Sequence, residues 1–521
     1  MALFVTGAQY PPYNDIERLA KYERGRAFFD GKQAEMFDRA SELLKGTPFS
    51  AQIQKLFIAV NIMDALITKP ADLMVGEPPT YESGNPDDTE EQRALNRIVE
   101  ENDITQLIHE IVIGSGIRGD AWIKTYYGDR QDVGETVALG LVAPKTAPEP
   151  IVEAVDASTV FPELTRGSRK RFKAINIAWV EWVTTTSIPG IAPFSLRKDD
   201  RVEEIPFLCV ERHVPGFIVY ERYRLYEAGV DSRFGVPVST YSIGDKVATG
   251  RDDDVVETGT ARLLIHHVPY KTVDSEWAGI GGIEKLESVL LAISDRLVQI
   301  DYILWKHSDP TAYGPELDRE ADGSIRTGGK YIPVSKEDAT PGYMEWNGQL
   351  EAAFKELDIL LGLVYQISET PQWLFGTTLA EDKGGSGTSH TDGAAIKARF
   401  MPILSKVKRI RVHVDRAIRD ALWTAMELEN YANEGVDGFT PYEPVYPKIN
   451  WKDGIPRDEK AEAEVYQIRT GNKPTIDVKS AIKRMDGVDD DKAAEIESRI
   501  SDDEKAAGFV DGTVFNSGGG A

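Results

Sequence analysis

The chain has 521 residues, which is more than one compact hydrophobic core usually accommodates, so we expect several subdomains. Its 41% hydrophobic and 28% charged residues argue against a wholly disordered protein. The net charge of −25 makes the protein as a whole repel phosphate groups, and solubility is its simplest interpretation. The single cysteine, Cys209, excludes an intrachain disulfide and is predicted to be a small buried residue. The chain has neither a signal peptide nor a membrane-length apolar stretch, so we expect a soluble, cytoplasmic product.

The first part of the chain is predicted to contain helices followed by strands. Residues 14–45 and 50–75 have helical spacing, and the acidic PDDTEE begins another amphipathic helix over about 90–113. From 120 to 275, short runs rich in Val, Ile, Tyr and Trp alternate with polar residues between Gly-, Pro- and Asp-rich turns. This pattern predicts an antiparallel sheet region with insertions. Its predicted strands are AWIKTYY, TVALGLVAP, INIAWVEWV, PFLCVERHV, FIVYERYRLYE and ARLLIHHVPY.

Several short motifs in this part resemble cofactor or metal sites but lack part of the required pattern. GSGIRG at 114–119 matches GxGxxG, but a helix precedes it and a strand follows it, so we interpret it as a helix-to-strand turn. His109 begins an HExxH-like string whose second histidine is replaced by Ile113. His266 and His267 are neighbours on a predicted strand and therefore point to opposite faces. We predict neither a cofactor nor a metal.

After residue 278 the pattern is helical again. Two segments of similar length, ending near 307 and 370, each carry one apolar stripe, which predicts two long antiparallel helices. The stripes consist of Ile283, Leu286, Leu290, Ile293, Leu297, Ile300 and Leu304, and of Leu350, Phe354, Leu357, Leu361 and Val364. A Gly-, Pro- and Asp-rich insert, 310–347, with the predicted strand GGKYIPV, joins them. A third long helix is predicted over about 394–430, and charged helices over most of 452–521.

The loop LAEDKGGSGTSHTDG precedes the third long helix. It lacks the Gly-Lys-Ser/Thr of a P-loop, because its only lysine, Lys383, comes before the glycines. The spacing of Ser386, His390 and Asp392 is compatible with a catalytic triad, but so flexible a segment supports catalytic side chains poorly. An enzyme that uses 384–393 as a phosphate or nucleophile site therefore stays an alternative, as does a scaffolding module that binds only proteins.

The order of these elements resembles that of the portal proteins of tailed bacteriophages, over nearly the whole chain. The supporting strings are NIMDALITKPADLMVGEPPTY, GSGIRGDAWIKTYYG, TPQWLFGTTLAEDKGGSGTSHTDGAAIKARFMPILSKVKRIR and PRDEKAEAEVYQIRTGNKPTIDVKSAIKRMDGVDDDKAAEIESRI. The resemblance implies an α+β portal fold in a ring, usually of twelve subunits, at one capsid vertex. Double-stranded DNA would pass through its channel during packaging and ejection. It implies no active site and no cofactor.

The resemblance also divides the chain into domains and implies partners. The domains would be the wing (1–278), the first stem helix (279–310), the clip (311–346), the second stem helix (347–372), the tunnel loop (373–393), the long wing helix and return (394–451) and the helical crown (452–521). Residues 185–260 match no family string and are interpreted as a strand-rich insertion in the wing. Implied partners are other copies of the chain, DNA, the terminase large subunit, a head-tail adaptor, and the major capsid and scaffolding proteins, without a membrane. The assembled ring would be made in the host cytoplasm and located in the virion.

Four groups of contact residues follow from the resemblance. Candidates for the DNA channel in the tunnel loop are Lys383, Gly385, Ser386, Thr388, Ser389 and His390. Candidates on the basic helix, for DNA or a neighbouring subunit, are Lys397, Arg399, Lys406, Lys408, Arg409 and Arg411. Candidates for the channel wall or exterior of the stem are Glu284, Glu287, Asp295, Glu351, Lys355 and Glu356. Candidates for docking at the clip are Tyr313, Arg326, Lys330, Tyr331, Tyr343 and Trp346.

Two expectations concern how such a ring would hold together. The apolar stripes of the stem helices are expected to seal one subunit against the next. The basic helix is expected either to contact DNA phosphates or to pair with acidic side chains of the adjacent subunit. Lys406, Lys408, Arg409 and Arg411 are close in sequence and are not expected to share one helix face, which favours several partners over one DNA track.

Overall fold

The computed structural model describes residues 3–32, 61–86, 88–131, 142, 147–184, 204–307, 312–314, 331–334, 342–343, 350–375, 393–452, 454, 459–471, 474–486, 488 and 490–514. Over these residues the fold is mixed α+β, as predicted. The helices are α1 (Ile16–Phe29), α2 (Ile62–Val75), α3 (Glu90–Glu101), α4 (Ile104–Arg118), α5 (Glu287–His307), α6 (Leu350–Ser368), α7 (Gly393–Ala432), α8 (Glu459–Thr470), α9 (Val478–Asp486) and α10 (Asp490–Val514).

The described strands form four sheets, of which the largest is curled and has seven antiparallel strands. They are β1 (Gln9–Tyr10), β2 (Thr80–Glu82), β3 (Asp120–Gly128), β4 (Glu149–Val155), β5 (Val160–Leu164), β6 (Phe172–Thr184), β7 (Glu204–Val214), β8 (Phe217–Asp231), β9 (Val238–Val247), β10 (Val255–Glu257), β11 (Ile265–Pro269), β12 (Ala312–Gly314), β13 (Tyr331–Pro333), β14 (Gly342–Tyr343) and β15 (Lys448–Asn450). The largest sheet has the order β1-β9-β8-β7-β6-β5, with β10 beside β8, and the others are β11-β3-β4, β13-β12-β14 and β15-β2. The predicted antiparallel sheet region is therefore present, and strands β7 to β10 lie in the 185–260 region.

The largest sheet buries one face in a core that it shares with α1. Alternation in β7 places Leu208 and Val210 in this core, while Leu19 and Tyr22 of α1 pack into the same cluster. Cys209 points the other way and is half-buried, so the prediction of a buried cysteine is wrong. Its thiol donates a hydrogen bond to Glu181 Oε2 at 3.2 Å. Partial burial and the Glu181 carboxylate raise the pKa of this thiol to about 12, which makes it a poor nucleophile.

A second and larger core is built around α7. Its buried apolar residues recur every three or four positions from Ile403 to Met426 and pack against α2, α3, α4 and the sheet β11-β3-β4. The buried residues of this stripe are Ile403, Val407, Ile410, Val414, Ala417, Ile418, Ala421, Leu422, Ala425 and Met426. The predicted long helix is thus confirmed, and its apolar side is part of the core of the chain.

The single helix predicted over 90–113 is in fact two helices. The chain turns at Asn102 and Asp103, where Asp103 has a left-handed φ of 41° and its carboxylate accepts a hydrogen bond from the Gln106 amide. The second helix, α4, continues through most of GSGIRG, so this motif is largely helical rather than a turn. Gly119 ends the helix with a φ of 96°, and a Cβ there would lie 2.4 Å from the Gly279 carbonyl oxygen.

Helices α5 and α6 pack against each other, as predicted. Their facing residues form one apolar cluster with α2 and with the end of α4, and Arg296 pairs with Glu356 at 2.6 Å across the two helices. The predicted stripes pack mainly inside one chain: from the first, Ile283, Leu286, Leu290, Ile293 and Leu297, and from the second, Leu357, Leu361 and Val364. The expectation that these stripes seal one subunit against the next is therefore wrong for this buried part.

Candidate functional site

Most of the residues predicted for the tunnel loop and the clip lie outside the described residues. These are Lys383, Gly385, Ser386, Thr388, Ser389, His390, Arg326, Lys330 and Trp346. In the clip, Tyr313 of β12 is exposed, and β12 pairs in parallel with β13, which contains Tyr331. On its other side β12 pairs with β14, which contains Tyr343. The predicted strand within GGKYIPV is confirmed, and the described part of the insert is a small three-stranded sheet.

Several basic side chains of α7 have partners within the chain. Lys406 is only 7% exposed, and its ammonium lies 3.4 Å from both the Leu66 carbonyl and Thr370 Oγ1. Burial lowers the pKa of Lys406 to about 8. Arg409 donates through Nη2 to both carboxylate oxygens of Glu369, at 2.8 and 2.7 Å. Lys406 is therefore not available for contact with DNA or with a neighbouring subunit on an open surface, which corrects that prediction.

Further along α7, arginines bind segments that pack beside the helix. Arg411 donates to the Lys452 carbonyl at 2.8 Å, and its guanidinium lies 5.3 Å from the Trp451 ring. Arg419 donates to the Pro447 carbonyl at 2.7 Å. The long aliphatic stems of such residues let a helix carry charges while it is largely buried. The remaining basic candidates are Lys397 in the first turns of the helix, and Arg399 and Lys408, which are exposed.

Lys406, Arg409 and His413 lie on one face of α7, at the spacing i, i+3 and i+7, and all three line the same pocket. This set differs from the predicted cluster of Lys406, Lys408, Arg409 and Arg411, which was not expected to share one face, because it includes His413 and only two members of that cluster. Lys408 and Arg411 lie on other sides of the helix. The spacing of Lys406, Arg409 and His413 could have indicated this shared face from the sequence. The neighbouring Lys408 and Arg411 made the pattern harder to recognise, because they break the helical spacing.

The acidic candidates on the two long helices differ in their accessibility. Asp295 is 6% exposed, so it faces neither a channel nor the exterior in this chain, contrary to the prediction. Glu284 pairs with Lys21 at 3.7 Å, and Glu287 pairs with Arg24. The exposed candidates are Glu284, Glu351, Lys355 and Glu356, of which Glu356 pairs with Arg296.

A second apolar stripe on α6, which the sequence reasoning missed, faces away from α5. It consists of Ile359, Leu363 and Ile367, which are 58%, 38% and 43% exposed. Their spacing of four residues places them on one side of the helix. The segment DILLGLVYQI is apolar nearly all round, and such a helix is normally covered on every side. We call Ile359, Leu363 and Ile367 the α6 stripe.

The histidines in the motifs that resemble metal sites, and the aspartate beside the GSGIRG motif, have structural roles. Asp120, fully buried at the start of β3, accepts hydrogen bonds from the Tyr22 hydroxyl at 2.6 Å and the Gly279 amide at 2.7 Å, and lies 2.6 Å from His267 Nε2. Burial lowers the pKa of His266 to about 3, so its ring is neutral. His109 lies 3.2 Å from Asp72. Within the described residues no cluster of His, Cys, Asp and Glu side chains is arranged to hold a metal ion.

No protein-family model matches this chain, and a comparison with curated proteins finds no match either. Among the helices of the described residues, none combines the length and the apolar character needed to cross a membrane.

Proposed function

We propose that this chain is a portal protein of a tailed bacteriophage. Copies of it form a ring at one capsid vertex, and double-stranded DNA passes through the central channel during packaging and ejection. The order of elements supports this proposal: an α/β region, two packed long helices with a small sheet between them in sequence, a helix of 40 residues and a helical tail. In this proposal the protein is a conduit and a docking platform, not an enzyme.

The observation that carries the proposal is the α6 stripe. Helix α5 covers one side of α6, and no other described residue covers Ile359, Leu363 and Ile367; in this proposal they contact a partner outside the chain. A ring provides such a partner, since each subunit presents this side of α6 to the next one in a head-to-tail contact. Permanent assemblies of this kind use apolar interfaces that resemble a protein core.

The net negative charge of the chain is compatible with a channel whose wall does not bind DNA tightly. A net charge of −25 per subunit would repel the duplex from the wall, and each basic contact would add to salt-dependent affinity. Lys406 is buried, and Arg409 and Arg411 hydrogen-bond within the chain, so few basic groups of this part of α7 stand unpaired on an open surface along which a duplex could be held. Terminase, the head-tail adaptor, and the capsid and scaffolding proteins are the partners that the proposal requires.

The first test is the mass and shape of the purified protein. Light scattering should give about twelve times the chain mass of 57.8 kDa, and negatively stained images should contain rings with a central hole. A monomer or dimer at high protein concentration would contradict the proposal.

The second test separates a conduit from other ring proteins. Deleting residues 381–391 should leave the ring intact but reduce DNA packaging or retention in an assembly assay. A deletion of equal length in the C-terminal 510–520 segment is the matched control. Unchanged packaging after the first deletion would argue for a protein-only scaffold.

A further inference from the structure

A cavity of about 360 Å³ lies where the segment from Tyr270 to Lys285, the end of α6 and the middle of α7 meet. This volume is at the small end of the range for ligand pockets. Its charged and titratable lining is mostly basic: Lys271, Lys285, Lys406, Arg409 and His413, with Glu369 as the one carboxylate. We call it the basic cavity.

The lysines of the basic cavity are not neutralised by the described residues. Glu369 is engaged by Arg409, whose Nη2 donates to both of its carboxylate oxygens. No described residue forms a salt bridge with Lys271, Lys285 or Lys406, although the chain has 85 acidic side chains. Three lysines that have no ion pair among the described residues therefore surround one cavity of a protein whose net charge is −25.

Lys406 adds an independent indication, because it is a buried cation with weak protein partners. Its two contacts, to the Leu66 carbonyl and to Thr370 Oγ1, are both long at 3.4 Å. Burying an ammonium group is costly unless an anion or good hydrogen bonds compensate for it. An anion in the cavity would supply the missing compensation.

The backbone at the rim supports the same interpretation. Glu369 has a left-handed φ of 54°, at a position after a helix where glycine or asparagine is usual. The carboxylate of this residue forms an ion pair with Arg409 at 2.7 Å and holds its guanidinium at the edge of the cavity. The guanidinium is thus positioned before any ligand arrives.

We propose that the basic cavity binds a phosphate-bearing anion. Lysine ammonium groups bind phosphate as point charges, and an arginine guanidinium can bind two of its oxygens. Three lysines and an arginine suit an anion with several charges, such as a pyrophosphate group, better than a single carboxylate. The phosphate groups belong either to a small free molecule or to a nucleic-acid backbone. All the cationic residues of the site belong to one chain, although Ile367 of the α6 stripe also lines the cavity.

The test is calorimetric titration of the full chain with pyrophosphate at pH 7 and constant ionic strength. We expect one saturable site per chain. The variants Lys271→Gln and Lys285→Gln remove exposed charges and should each weaken binding about tenfold, because each removes one charge-assisted contact. Lys408→Gln, which removes an exposed charge of α7 outside the cavity, is the matched control and should change the affinity less than about twofold.

Three results would overturn the proposal: no saturable binding, no effect of the two cavity variants, or equal weakening by Lys408→Gln. Circular dichroism of each variant shows whether it is folded. A competition experiment between pyrophosphate and a duplex oligonucleotide identifies the source of the phosphate. If a short duplex oligonucleotide displaces pyrophosphate from the wild type and binds Lys285→Gln more weakly, the backbone of nucleic acid is the ligand. If it does not displace pyrophosphate, the ligand is a small free phosphate compound.

Discussion

Helices α6 and α7 are both long, but they use their surfaces in opposite ways. Helix α7 has eight basic side chains up to residue 420, yet its apolar side is buried and several of its cations bind neighbouring segments of the same chain. Helix α6 has no such charge cluster, and its stripe of large apolar residues is left exposed. A high local charge is therefore not by itself evidence of an interface, whereas an uncovered apolar side of a helix calls for a partner.

The largest effect is expected from a charge placed in the α6 stripe. Leu363→Arg should convert the ring into monomers, because a buried unpaired charge would oppose every intersubunit contact. Light scattering measures the change, and circular dichroism checks that the chain stays folded. The matched control is Asp358→Arg, an exposed position on the same helix but about 100° away from Ile359. If both variants keep the ring, α6 is not at the interface.

A smaller effect is expected where α7 is anchored to α3. Glu429, which is buried, accepts two hydrogen bonds from Arg97 at 2.7 Å and one from the Tyr442 hydroxyl at 2.6 Å. Glu429→Ala leaves the buried hydroxyl without its partner and should lower the free energy of unfolding by about 2–3 kcal/mol, measured by urea unfolding. Glu101→Ala removes the exposed partner of the same Arg97 and should cost no more than about 0.5 kcal/mol. Equal costs would mean that the buried carboxylate has no special role.

Lys406 connects stability to pH. Burial lowers its pKa to about 8 in the folded chain from 10.5, so the unfolded chain binds more protons between about pH 8 and 10.5. The cost of burying the charged Lys406 ammonium group is fully present below about pH 8. The free energy of unfolding therefore rises as the pH rises from about 8 to 10.5. Lys406→Met should therefore stabilise the protein at pH 7 by on the order of 1–2 kcal/mol, with a smaller gain at pH 10. A melting temperature that falls at pH 7 would contradict this.

The sequence predicted the existence of α7, α5, α6 and several strands, because their apolar periodicity is long and clear. It did not predict the break at Asp103, since a single left-handed residue leaves the periodicity of both flanking helices unchanged. Nor could it choose the buried side of α6, because DILLGLVYQI offers apolar residues on nearly every side. The basic cavity was hidden for another reason: Lys271 and Lys285 come from a segment far in sequence from α7.

The smallest effect on the free energy of unfolding is expected for Arg416, an exposed basic residue in the second half of α7. The Arg416 side chain is 83% exposed and, among the described residues, forms an ion pair only with Asp420, at 3.8 Å, so Arg416→Gln should change the free energy of unfolding by less than about 0.5 kcal/mol. Arg419 is its counterpart: it binds the Pro447 carbonyl at 2.7 Å and lies 4.1 Å from the Tyr446 ring. Arg419→Gln should cost about 1–2 kcal/mol, because both contacts join α7 to the returning chain. If urea unfolding gives equal costs, the basic side chains do not stabilise α7 through these contacts, and the contrast with α6 would have to be explained by apolar packing alone.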